Sequence, residues 1–184
     1  MPVSVQGAAC CGIHLDNLTH SIIGLIAGHA AAQIHERRAS VSIASATQVT
    51  DVASSRRVLY GLIGVTGGNL PDTDLLLTLR GGGGDKLAYL LDHRGYTHTV
   101  AGGAVLALLL FAGVQWLRSS RARPVPVSWP ALLLLCTVAV GLHLAMDALN
   151  SYGVHPFWPW DDAWRYGDSV FIVEPLYWAA AAPL

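Results

Sequence analysis

Apolar positions gather along this chain into five stretches, residues 22–34, 58–70, 100–117, 131–149 and 170–184, divided by polar connections. A helix needs about 20 apolar residues to cross the hydrocarbon of a bilayer. The third and fourth stretches meet that length. The first two do so only through their polar flanks, so they are expected to be tilted, partly embedded or packed inside a bundle. The pattern predicts an all-α membrane bundle of about four to five helices, with its polar residues collected at one end. Asp16 or Asn17 can cap the first helix and place His20 in its opening turn. Gly24 and Gly28, four apart, would allow close helix packing in lipid. Pro71 stops the second stretch, and the segment 124–130, rich in proline, turns the chain between the third and fourth. Trp158, Trp160 and Trp164 suit a belt at headgroup level. Residues 1–15 are expected to be a disordered extension lacking the features of a secretory signal. Residues 16–184 are expected to form one helical membrane domain.

Composition sharpens this picture. Of 184 residues, 53% are hydrophobic and only 12% charged, with a mean hydropathy of +0.45, whereas soluble domains carry roughly a quarter charged residues. A net charge of -1 provides no basic field for nucleic acid. Cys10, Cys11 and Cys136 form no spaced pattern, so neither a disulfide framework nor a zinc knuckle follows. Gly81 to Gly84 lacks the Lys-Ser/Thr ending of a phosphate loop, and no serine sits in a nucleophile elbow.

Charge also sorts by side. If alternate connections share a side, Arg37, Arg38, Arg56, Arg57, Arg118, Arg121 and Arg123 lie together and mark the cytoplasmic face. His20, Asp72, Asp74, His93, His98, Asp147 and Asp168 then fall at the opposite, outward face, as one site would. His93 and His98 are five apart, and a turn at Gly95 with Thr97 as N-cap would let both rings meet one ion. The plainer reading is a pair of interfacial histidines. Asp72 and Asp74 offer oxygen ligands on a short turn, or simply punctuate a helix. His143, Asp147 and Asn150 share one face of an apolar helix, where an Asp and a His are costly unless paired or metal-bound. The plainer reading there is a hydrogen bond fixing two helices.

Taken in order, Asp16-Asn17-Leu18-Thr19-His20-Ser21, Asn69-Leu70-Pro71-Asp72-Thr73-Asp74, His93-Arg94-Gly95-Tyr96-Thr97-His98, His143-Leu144-Ala145-Met146-Asp147 with Asn150-Ser151-Tyr152-Gly153, and Phe171-Ile172-Val173-Glu174-Pro175 resemble the signatures of a family. That family is the membrane-bound metal-dependent hydrolases (LexA-regulated, YdjM-like), distantly similar to zinc-dependent phospholipase C. The resemblance implies a multi-pass protein of the inner (plasma) membrane and makes His20, Asp72, Asp74, His93, His98, His143 and Asp147 the ligand candidates. The chain departs from it with Asp92 where relatives often have His, and with Glu174 where Asp is usual. Relatives begin near the first motif and continue with membrane segments after the last, so further C-terminal helices are expected to be missing here.

Seven N/O donors suit two ions sharing a carboxylate, Asp72 or Asp74. The absence of cysteine ligands favours zinc, with manganese or iron as alternatives. Metal-activated water would then attack a phosphoester, with Arg94 holding developing charge and Asp92 or Asp168 moving the proton. The outward, headgroup-level position suggests a lipid-linked substrate. The rival is a non-catalytic membrane protein that uses the same cluster for ion binding or transport, or for helix pairing.

Overall fold

The computed structural model describes residues 6–39, 46–74, 95–122, 124–151 and 153–169. They form four helices, α1 (Gln6–Ala39), α2 (Ala46–Asn69), α3 (Val100–Ser119) and α4 (Trp129–Leu149), with 3-10 turns at Pro71–Asp74 and Tyr96–His98. Among the described residues there is no strand, only an isolated bridge between Val154 and Arg165. The expected all-helical bundle is what forms. The fifth apolar stretch, 170–184, and Glu174 within it lie outside the described residues.

Two boundaries differ from expectation. α1 begins at Gln6, so Asp16 and Asn17 are interior to it and neither opens it. No proline interrupts the chain there, and the mostly helix-tolerant residues before Asp16 continue the turn. The polar connection shrinks likewise, because α1 runs to Ala39 and α2 starts at Ala46. Its charged residues stay helical, and Arg57 of α2 donates to both Glu36 carboxylate oxygens of α1 at 2.9 and 2.7 Å.

α4 occupies the middle, packed against α1, α2 and α3. Its buried stripe runs through Leu132, Leu135, Cys136, Ala139 and Val140, and the first three meet Ala32 of α1 and Tyr60 and Ile63 of α2. The last four lie three, four, seven and eight residues on from Leu132, as one helical face requires. At 20 and 21 residues, α3 and α4 are the two described helices long and apolar enough to cross a membrane. They turn Leu108, Leu109, Trp116 and Leu134 outward, which lipid solvates without cost.

α1 and α2 touch backbone to backbone. A methyl at Gly24 would overlap the Gly64 carbonyl, one at Gly64 the Gly24 carbonyl, and one at Gly28 the Tyr60 carbonyl. The expected small-residue packing of Gly24 and Gly28 is present, and α2 supplies its partner in Gly64. Association of helices in lipid rests on such close approach, since apolar burial alone gives them no preference for each other. Arg118 closes the opposite turn by donating to the Val125 and Val127 carbonyls at 2.8 and 3.0 Å.

Gly113 of α3 has nothing within 4 Å of where a Cβ would sit. Gly64→Ala should therefore lower stability by about 1–3 kcal/mol through overpacking, while Gly113→Ala should leave it unchanged or raise it by up to about 1 kcal/mol. Thermal unfolding of the two variants in one detergent checks the contrast, and equal melting temperatures would refute this helix contact.

Candidate metal centre

The last turn of α2 leaves carbonyls with no partner further along the helix, and Pro71 forces the chain out of line. The 3-10 turn that follows places Asp72 and Asp74 beside the bundle end. Gly95 precedes the second 3-10 turn, which ends on His98. Thr99, rather than the expected Thr97, caps α3: its hydroxyl accepts from the Gly102 N–H at 2.9 Å. His98 consequently lies before the helix and not in its first turn. His143 and Asp147, one turn apart on α4, complete the set, as their i, i+4 spacing predicts.

Two imidazoles and two carboxylates meet in the interior. Nε2 of His98 is 3.1 Å from Nε2 of His143, 3.1 Å from Asp147 Oδ2 and 3.3 Å from Asp72 Oδ1. Nε2 of His143 is 3.5 Å from Asp72 Oδ1 and 3.7 Å from Asp147 Oδ2. His98, His143 and Asp147 are each 1% exposed, and Asp72 forms the rim with 10% of its side chain exposed. One ligand atom from each of the four lies within 4.8 Å of all the others, so the cluster could hold a metal ion.

Both rings are fixed from behind. Nδ1–H of His143 donates to the Gly68 carbonyl at 2.7 Å. On the other ring, Nδ1–H of His98 donates to Thr97 Oγ1 at 2.9 Å, and that hydroxyl donates to Asp74 Oδ2 at 2.5 Å. With each Nδ1 committed as a donor, both Nε2 positions point inward, the arrangement that outer hydrogen bonds impose on metal-binding histidines, and both offer a lone pair once His98 has given up its proton. With two carboxylates adjacent, a positive charge is required among them. Burial works to lower the pKa of His98, but the carboxylates of Asp147, Asp72 and Asp74 outweigh it and push the value up to about 10. Burial likewise opposes ionisation of Asp72, yet the imidazoles of His143 and His98 beside it hold its pKa well below the usual carboxylate range.

The other sequence candidates are placed as follows. Asp74 faces Nδ1 of His98 at 3.6 Å, on the far side of the ring from the four converging atoms, so it braces that ring from behind; of the two carboxylates expected as alternatives for a bridge, Asp72 is the one in the group of four. His20 of α1 stacks on His143 with ring centroids 4.0 Å apart, and its Nε2 lies 3.4 Å from Asp147 Oδ1. It joins the cluster as a flanking ring, outside the group of four. Asp168 is exposed with φ 45°, between Gly167 and Ser169, whose N–H groups donate to the Ala148 and Leu149 carbonyls, and it is outside the group of four. Asp92, His93 and Arg94 lie outside the described residues. One group of four donors is found among the described residues, where seven donors and two ions were expected. Sequence reasoning did not find the Gly68 carbonyl or the relay through Thr97. The spacing of Thr97 from Asp74 and His98 gives no signal for the latter, because a threonine before a helix reads first as a cap.

At the same end, Tyr96 packs edge-on against Trp158 with centroids 4.6 Å apart, and Trp160 and Trp164 are exposed. Trp158, one of the three tryptophans expected at headgroup level, thus lies beside the turn that carries His98.

Two outcomes follow from this geometry. Thr97→Val cuts the relay but keeps the shape, so divalent-ion affinity should fall roughly 10–100-fold, the usual cost of losing an outer partner; calorimetry measures it, and unchanged affinity would remove the relay's role. In the ion-free protein His98 keeps its proton up to about pH 10, and an ion must displace it. Affinity should therefore rise with pH, by about tenfold per unit for one proton released, and a titration between neutral and mildly alkaline pH that stayed flat would contradict this.

The model of the family described as YdjM inner membrane protein matches residues 15–183. No curated protein and no solved structure matches the chain.

Proposed function

We propose, since the chain belongs to the YdjM inner membrane protein family, that it is a membrane-bound metal-dependent hydrolase whose ion is held by Asp72, His98, His143 and Asp147. The observation that carries the ion is the set of five donor separations, 3.1, 3.1, 3.3, 3.5 and 3.7 Å. Ligands about 2.0–2.1 Å from a tetrahedral zinc are about 3.3–3.4 Å apart. Two imidazoles with two carboxylates and no thiolate suit zinc first, with manganese or iron able to use the same donors.

A bound ion would supply a water acidified to near neutral pH and a positive charge for a phosphoryl oxygen. The chain's own residues do the rest. His98 and His143, braced through Thr97, Asp74 and Gly68, keep the ligand atoms from rotating away. Asp72, the least buried of the four, marks the side from which water and substrate enter. Arg94 and Asp92 precede that turn in sequence and are assigned the phosphoryl charge and the proton respectively. A site beside exposed Tyr96, which packs on Trp158, at one end of two helices of membrane-spanning length, favours a phosphoester carried on a lipid. By the charge sorting of the connections, this end faces away from the cytoplasm.

A second reading is supported by the same burial. Four protein donors with almost no exposure also describe a closed ion site that ties α2, α3 and α4 together without catalysis.

Metal analysis of purified protein separates these readings from a metal-free hydrogen-bonded cluster. About one equivalent of ion per chain is expected, falling to background in His98→Ala and Asp147→Asn. The metal-loaded protein should cleave a lipid phosphodiester and the two variants should not. Ion retained with no cleavage of any phosphoester would leave the closed site and overturn the hydrolase.

A further inference from the structure

The end of the bundle away from the metal cluster carries a second constellation. α1, α2 and α4 enclose a cavity of about 610 Å³ there, within the roughly 300–1,000 Å³ of small-molecule sites. Its walls are graded. Ala27 on α1 and Val138 on α4 line one end; His35, Arg38 and Ser128 line the other, with Tyr60 of α2 on the wall between. α1 and α4 run past one another so that the polar residues of both fall together, which gives an apolar trough with a charged mouth. From Ala27 to Arg38 the helical rise covers about 16 Å, close to the roughly 15 Å depth of one leaflet's hydrocarbon.

The mouth is positive beyond Arg38. Arg56 lies on α2 one turn before Tyr60 and is only 8% exposed. Its Nε has no hydrogen-bond partner among the described residues, and its Nη2 reaches only the Pro126 carbonyl, at 3.5 Å. The charge of Arg56 acts on His35, Glu36 and Tyr60; at His35 Arg38 adds to it and Glu36 opposes both, and at Tyr60 Arg118 adds to it. Glu36 is committed to Arg57, and Asp51 is exposed further back on α2. A guanidinium this buried, with a donor unused and with no carboxylate in a salt bridge to it among the described residues, is costly unless an anion approaches; Glu36, on which its charge acts, is bound to Arg57 instead.

We infer that this trough binds one anionic phospholipid, its phosphate at Arg38 in the field of Arg56 and one acyl chain along α1 and α4. Basic pockets between membrane helices on the cytoplasmic side hold acidic headgroups in this way. The trough matches a lipid in both respects, with apolar length on one side and positive charge on the other. This lipid is a bound component distinct from any substrate of the metal site, since Ser128 and Asp147 stand at opposite ends of α4, about 28 Å apart along the helix.

The test uses the full chain, purified in neutral detergent and stripped of lipid. Phosphatidylglycerol with long acyl chains should raise the melting temperature by roughly 5 °C at saturation and should co-purify at about one per chain. Phosphatidylcholine and inorganic phosphate should each do neither. Arg38→Gln, on an exposed position, should weaken the phosphatidylglycerol effect at least tenfold in lipid concentration. Ala131→Trp, which fills the trough without altering charge, should abolish it. Equal effects of the two lipids, an equal effect of inorganic phosphate, or an unchanged response in both variants would overturn the inference. So would a lipid-free dimer that Ala131→Trp dissociates, because a second copy would then occupy the trough. None of these readouts depends on the metal site being catalytic.

Discussion

Two ring nitrogens facing each other at 3.1 Å in a dry interior set the condition under which this bundle end can exist. Both Nδ1 positions are spent as donors, so the facing pair has room for one positive centre and no more. Asp72 and Asp147 add negative charge on either side, and an interior that kept two carboxylates without a cation would be strongly destabilised. Either His98 retains a proton or an ion takes its place. Everything that holds Asp72, His98, His143 and Asp147 in position is therefore also what selects between those two occupants.

That positioning depends on how closely α1 and α2 approach. Gly24 and Gly64 remove the side chains between them, which draws the His20 ring onto His143. Gly68 shows the coupling most directly. A Cβ on it would come within 2.6 Å of the His20 carbonyl, while its own carbonyl accepts from His143. One residue without a side chain thus sets both the helix spacing and the direction of a ligand ring. The candidate metal centre is a product of helix packing as much as of its donor residues.

What the sequence made legible follows from the same physics. An Asp and a His one turn apart on an apolar helix are conspicuous, because lipid-level burial makes their presence expensive, and His143 and Asp147 stand where that reasoning puts them. The sorting of charge along the connections likewise anticipated that Asp72, His98 and Asp147 share one end. Roles within the cluster were less accessible. Asp72 and Asp74 look equivalent on a short turn, and only the fold sends one to Nε2 of His98 and the other toward Nδ1. Thr97 was expected to cap α3, yet Thr99 takes that place and frees Thr97 to join a ligand to a carboxylate. The start of α1 was misjudged because the capping residues at 16 and 17 do not break a helix that already has turns before them.

The C-terminal ends of α2 and α4 both arrive at this cluster, at Asn69 and Leu149, while α3 presents its opposite pole beside His98. Each C-terminal pole carries a partial negative charge of about half an electron. Two such poles against one, added to two carboxylates, make the pocket attractive to a cation and hostile to a bare anion. Any anion could settle there only after a cation had reversed the local field, so the backbone itself sets an order of arrival in which the cation comes first.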